Sequence, residues 1–147
     1  MTVRVSGPPP GAHARSLDLR RLRARAQQVL RATGHARSEL SISLVADPDI
    51  LALNARYRGL ARPTDVLSFS LVEGRDAEHR GALLGDVVIG IETAARQARE
   101  RHRSFDEEVT RLLIHGVLHL LGHDHEEADE ARRMRTEERR LWRVVRA

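Results

Sequence analysis

Residues 104–125 read SFDEEVTRLLIHGVLHLLGHDH, and the fold follows from how this stretch has to sit. Ser104 and Glu107 are three apart, the spacing at which a serine caps a helix and a glutamate reaches back to the cap. Val109, Leu112, Leu113, Val117, Leu118 and Leu121 then cover much of the circumference, which predicts a central helix buried on most sides. His115 and His119 are four apart, so they lie about 40° apart around the axis and one turn apart along it, and both imidazoles can reach one ion. On a continued helix, His125 would point roughly 240° away from His119. Gly122 stands where helices end in a left-handed glycine, and a turn there lets a third imidazole come back. Three neutral histidines with a fourth position open form the ligand set of a catalytic zinc site rather than a closed structural one. The expectation is one Zn2+ held by His115, His119 and His125 at the end of a buried helix, whose packing fixes the rotamers. Chance clustering is the alternative, since four of the eight histidines fall within eleven residues.

This spacing is that of the metzincin proteases, which carry a glutamate general base directly after the first histidine. Here that position is Gly116. A peptidase of that mechanism would lack its base. Zinc lowers the pKa of the water it binds to about 7, which makes a nucleophile available without that glutamate.

At 147 residues the chain fits one domain with a single two-layer core. Apolar residues make up 41% and run throughout, as in a globular protein. There is no cysteine, which excludes thiolate zinc sites. No apolar run approaches a membrane span and no signal-peptide core opens the chain, so the expectation is a cytoplasmic protein with no membrane partner. The net charge is +4 and every basic residue is arginine. Seven of these lie between Ala12 and Arg37 against one acid, Asp18. Such a segment fits a polyanion such as RNA, and equally a solvated helix face.

Val3 and Val5 begin a short strand that the run Gly7 to Gly11 ends. A helix follows on Leu19, Leu22, Ala26, Val29 and Leu30, with Ser16 as the expected N-cap and Gly34 as the stop. Leu40, Ile42 and Leu44 alternate with Ser41 and Ser43 as a half-buried strand. Asp47-Pro48 is expected to cap a second helix with apolar Ile50, Leu51 and Leu53. After a loop over Gly59 to Pro63, Val66 to Leu71 reads as a strand with one polar face. Glu73 to Gly81 is polar and turn-like. Leu83 to Ile91 reads as a strand covered on both faces, and Ala94, Ala95 and Ala98 as a helix reaching about His102. Met134, Leu141 and Val145 mark one face of a closing helix, with Trp142 beside it and a solvated face of alternating acids and arginines. Elements mixed without strict alternation give an α+β fold, a mixed sheet of about four strands packed against helices.

Asn54, Tyr57, Arg58, the run Pro63-Thr64-Asp65-Val66-Leu67-Ser68-Phe69, Leu84-Gly85-Asp86 and the stretch His115 to His125 occur in this order, with Met134 and Glu138 behind them. On these residues the chain resembles the YbeY family of bacterial endoribonucleases from about Leu40 to Trp142. Residues 1–38 lie outside the resemblance. Ser70 stands where the family often has proline, and His123 where it has tyrosine or histidine. The resemblance implies a zinc-dependent, single-strand-specific endoribonuclease acting with the ribosome in ribosomal RNA maturation and quality control, with no small-molecule cofactor. It also raises Arg58 from one arginine among 25 to the expected phosphate ligand, because a guanidinium is a planar, permanently charged, bidentate donor. Arg58 and His115 are thus the residues expected to carry catalysis.

Asp124 would either orient a ligand imidazole or cap the turn after Gly122. Asp86 would either line the cleft or satisfy backbone donors at a strand bulge. His123 is expected to face away from the metal, and His13, His35, His79 and His102 to be exposed. Two other readings share the histidines. A metal-dependent peptidase or esterase would not need Arg58 or the basic segment, and a non-catalytic ribosome-associated zinc protein would tolerate loss of Arg58.

Overall fold

The computed structural model describes residues 2–60, 64–70, 83–123 and 126–146. Its elements run β1 (Thr2–Ser6), α1 (Ala12–Ser16), α2 (Leu19–Ala32), β2 (Glu39–Val45), α3 (Asp47–Arg58), β3 (Val66–Ser70), β4 (Leu83–Gly90), α4 (Ile91–Glu100), α5 (Phe105–Leu120) and α6 (Ala128–Arg146). The strands form one mixed sheet in the order β1-β2-β4-β3, with β1, β2 and β4 parallel and β3 antiparallel to β4. The fold is therefore α+β with a four-stranded sheet. Glu73 to Gly81, Leu71, Pro63 and His79 lie outside the described residues.

Strand alternation sorts the side chains into two layers. Leu40, Ile42 and Leu44 of β2 and Val87 and Ile89 of β4 turn to one face, where Leu22, Ala26 and Leu30 of α2 and Leu112, Leu113 and Leu118 of α5 meet them. Each such fully buried leucine or isoleucine contributes roughly 1.5–3 kcal/mol. Met134, Leu141 and Val145 bring α6 onto the same core. The other face carries a small cluster of Ile50, Leu67 and Val88 under α3.

The helix starts depart from expectation in two places. Ser16 ends α1, and Asp18 caps α2 by accepting from the Arg21 amide at 3.1 Å. Asp47 is the first residue of α3 and not its cap, which is Ala46. The Asp47 carboxylate instead accepts from the amide and hydroxyl of Thr93 at 3.2 and 3.0 Å, while its own amide donates to Glu92 at 2.7 Å. The two helix starts thus cap each other, which ties α3, and the Arg58 at its far end, to α4.

The basic N-terminal segment is partly used inside the fold. Arg21 and Arg25 reach Asp106 of α5 at 3.3 and 3.4 Å, and Arg25 also donates to Thr110 at 2.7 Å. His13 is half-buried against Phe105, with ring centroids 5.5 Å apart, and His35 is half-buried too. Of the three described histidines expected on the surface, His102 alone is exposed. Among the described residues no helix is long and apolar enough to cross a membrane.

Candidate metal centre

Both ends of α5 are closed as its sequence predicts. The Ser104 hydroxyl accepts from the Glu107 amide at 3.1 Å and the Glu107 carboxylate from the Ser104 amide at 3.3 Å, a complete capping box. At the other end Gly122 takes φ +93°, its amide donates to His119 O at 3.0 Å and the His123 amide to Leu118 O at 2.9 Å. That pair of bonds is a Schellman stop, and it turns the chain back as a left-handed glycine must. Past the turn, Glu126 borders the same cleft as His115 and His119.

The cleft measures about 580 Å³ and opens between the end of α5, β3 and the end of α3. Arg58, Thr64, Asp65, Ser68 and Ser70 line it beside the two histidines. The polar face of β3 is thus the one turned to the cleft, while Leu67 packs under α3. The Asp65 carboxylate accepts from the Val66 amide at 2.8 Å and from Gln97 at 3.3 Å, which fixes the rim where β3 begins.

His115 and His119 converge. Their Nε2 atoms stand 3.0 Å apart. With Zn–N bonds of about 2.0–2.1 Å, two nitrogens on one tetrahedral ion stand roughly 3.3 Å apart, so the pair fits a shared ion. The second nitrogen of His115, Nδ1, lies 3.2 Å from Glu138 of α6. A metal-bound imidazole typically gives its other N–H to a carboxylate in this way, which fixes its tautomer and aim. Burial raises the Glu138 pKa, but the His115 hydrogen bond, the imidazole charge and Arg111 outweigh it, leaving it below the usual carboxylate value. The cation would also sit at the C-terminal end of α5, where the helix dipole favours positive charge.

Among the described residues two imidazoles meet and no third ligand joins them. His125 and Asp124 lie outside the described residues. Arg58 is brought to the cleft, but Asp86 is not. Asp86 alternates with Val87 and so falls on the α3 face, beside Ser43, Leu53, Tyr57, Phe69 and Val88. The extra residue where β2 and β4 shift register is Leu84, not Asp86. His123 faces α6, beside Asp129, Arg132 and Glu137.

Gly116 has a structural cause. A Cβ there would meet Val87 Cγ1 at 2.7 Å, Ser68 Oγ at 3.2 Å and Val66 Cγ2 at 3.2 Å. The position faces the sheet, and the Ser68 hydroxyl donates to its carbonyl at 2.8 Å. Glu138 entered the sequence analysis only as part of the resemblance and without a role, because it stood in a run of acids and arginines. Its signal was its place between Met134 and Leu141 on the buried stripe of α6.

Comparison with known proteins agrees with this layout. The profile of the family described as Endoribonuclease YbeY matches residues 12–146, which takes in α1 and α2 ahead of Leu40. An Endoribonuclease YbeY of Anaeromyxobacter sp. (strain Fw109-5) is 50% identical over 144 residues, covering 98% of this chain and 72% of the relative. One from Geobacter metallireducens is 42% identical over 127 residues, covering 85% of each. The solution structure of TM1509 from Thermotoga maritima superposes with a TM-score of 0.67 at 28% identity, covering 97% of this chain and 88% of that one. With the fold, the paired histidines and these relatives in agreement, the chain belongs to the YbeY family of endoribonucleases.

Proposed function

We propose that this chain is a zinc-dependent endoribonuclease that cuts single-stranded RNA in ribosomal RNA maturation and ribosome quality control, in the cytoplasm with the ribosome as partner. The observation that carries the reading is the convergence of the His115 and His119 Nε2 atoms at 3.0 Å on the wall of a cleft that Arg58 also lines. His115, His119 and His125 would hold the ion. Glu126 borders the cleft one residue after His125, which supports a third imidazole reaching it. A zinc ion held there supplies Lewis acidity and a nucleophile near neutral pH.

The chain's own residues do the rest. Arg58 ends α3, is exposed at the cleft and forms no ion pair among the described residues. Its fork suits a phosphodiester and the charge that grows on it during cleavage. Glu138 holds the His115 ring with Nε2 turned to the cleft. Asp124, adjacent to His125, would orient an imidazole or hold the turn.

The test is purified protein on single-stranded and duplex RNA of one sequence, with chelator and zinc add-back, alongside Arg58→Ala and His115→Ala. Cleavage of the single strand that stops with chelator, falls about 10²-fold in Arg58→Ala and disappears in His115→Ala is the expected result. Cleavage that survives chelator, or equal activity in all three proteins, overturns the reading. Mass-spectrometric metal analysis identifies the ion.

A further inference from the structure

A second concavity, of about 490 Å³, lies between the start of α5 and the length of α6. Arg103 and Arg111 form one wall, and Arg135, Arg139 and Arg146 the other. The acids beside them are Glu107 and Glu138, and both are engaged: Glu107 by the Ser104 cap and Glu138 by His115. Arg111 is held by Glu108 at 2.9 Å. Arg135 and Arg139, exposed on α6, form no ion pair among the described residues. Trp142 is half-buried in the groove, with the Arg146 guanidinium 5.7 Å from its ring centre.

The groove lies behind the paired histidines, and its described lining is separate from that of their cleft. Glu107, Arg111, His115 and His119 follow one another at four-residue steps, so they form a row that winds about 120° around α5 over about 18 Å. Glu138 belongs to both places, bordering the groove and touching His115. Excess positive charge, an aromatic face and a position next to the proposed phosphodiester-cutting site together describe a single-strand track, where arginines follow the backbone and a ring stacks a base.

We infer that this groove holds the single-stranded RNA that flanks the scissile phosphate, with Arg135 and Arg139 on phosphates and Trp142 against a base. The inference rests on the endoribonuclease reading. An acidic protein segment would match the arginines but has no use for the indole face.

Trp142 is the one tryptophan of the chain, so its emission reports on the groove alone. The zinc-loaded protein is mixed in a stopped-flow with an oligouridylate of roughly twelve nucleotides and read before cleavage proceeds. Saturable quenching is expected, with binding about tenfold weaker and the salt slope smaller by about 1–2 in Arg135→Ala/Arg139→Ala. Circular dichroism confirms that this variant is folded. Unchanged emission, or equal affinity and salt slope in the variant, overturns the groove while wild-type cleavage and its loss in Arg58→Ala leave the nuclease reading standing. No cleavage by wild type removes both. Polyglutamate that quenches and competes as well as oligouridylate points to a protein partner and also overturns the inference.

Discussion

The two ends of α5 carry charge in opposite ways. At the N-terminal end Glu108 is fully buried, and three arginines close on it, Arg111 at 2.9 Å, Arg101 at 3.1 Å and Arg103 at 3.8 Å. The charge is neutralised inside the protein, and Asp106 is used likewise by α2. At the C-terminal end His115 and His119 turn the same edge toward a cleft, and Glu138 supports one of them from behind. One end is an anchor whose groups satisfy each other; the other turns paired imidazoles toward a cleft. The anchor is what lets the presenting end hold its geometry, because a site needs its ligands fixed by their surroundings before the ligand arrives.

If the division is right, substitutions at the two ends separate. The largest effect belongs to His119→Ala, which should leave metal content near background and lower RNA cleavage more than about 10³-fold. Thermal unfolding of the metal-free protein should change little. Retention of one metal per chain would put the presenting end elsewhere. Glu108→Ala comes next and does the reverse. It should cost about 2–3 kcal/mol in urea unfolding, below the usual figure for a broken buried pair because the arginines are 25–44% exposed and regain water. Metal stoichiometry should be unchanged, and a stability equal to wild type would show that the cage anchors nothing.

Gly122→Ala sharpens the comparison from the middle. Among the described residues, its chain neighbours aside, no atom lies within 4 Å of the added Cβ, and the positive φ is penalised at about 1–2 kcal/mol. Zinc affinity should fall with it, and Gly122→Asn should recover part of both, since asparagine tolerates this conformation. Zinc titration of the three proteins decides. Smallest is Ser104→Ala, about 1 kcal/mol with cleavage intact. Its pH dependence carries a sign. The hydrogen bonds from Ser104 hold the Glu107 pKa below its ordinary 4.5, so this stabilisation is present above that value and is lost as pH falls through the lower, folded one. Wild type and variant should therefore draw closer in acid without meeting, since the bond from the Glu107 amide to the Ser104 hydroxyl does not titrate, and paired urea curves between neutral and acid pH would show this.

What could be read beforehand was whatever depends on neighbours in the chain. The periodicity of Val109 to Leu121, the capping box, the glycine stop and the alternation of Leu40, Ile42 and Leu44 are local, and each is found in place. Ser16 failed as the cap of α2 because α1 consumes it, and Asp18, two residues on, caps the helix instead. Asp47 failed as a cap because its carboxylate is taken by Thr93, far away in sequence. At the site, the spacing of His115 and His119 was legible because both ride one helix. The contact of Glu138 with His115 was not, since it arises only through the packing of α6 on α5. Asp86 was placed by a motif, although its parity with Val88 already put it on the far side of the sheet.

Gly116 has a consequence for what this scaffold can become. Because α5 rests on β3 and β4 at that residue, a glutamate installed there would start with its Cβ against Val87, Ser68 and Val66, and the layers would have to part before its carboxylate could reach the cleft. No single exchange turns this chain into a peptidase of the metzincin kind. The barrier is a matter of clearance between layers, and crossing it would mean lifting the helix that aims the imidazoles in the first place.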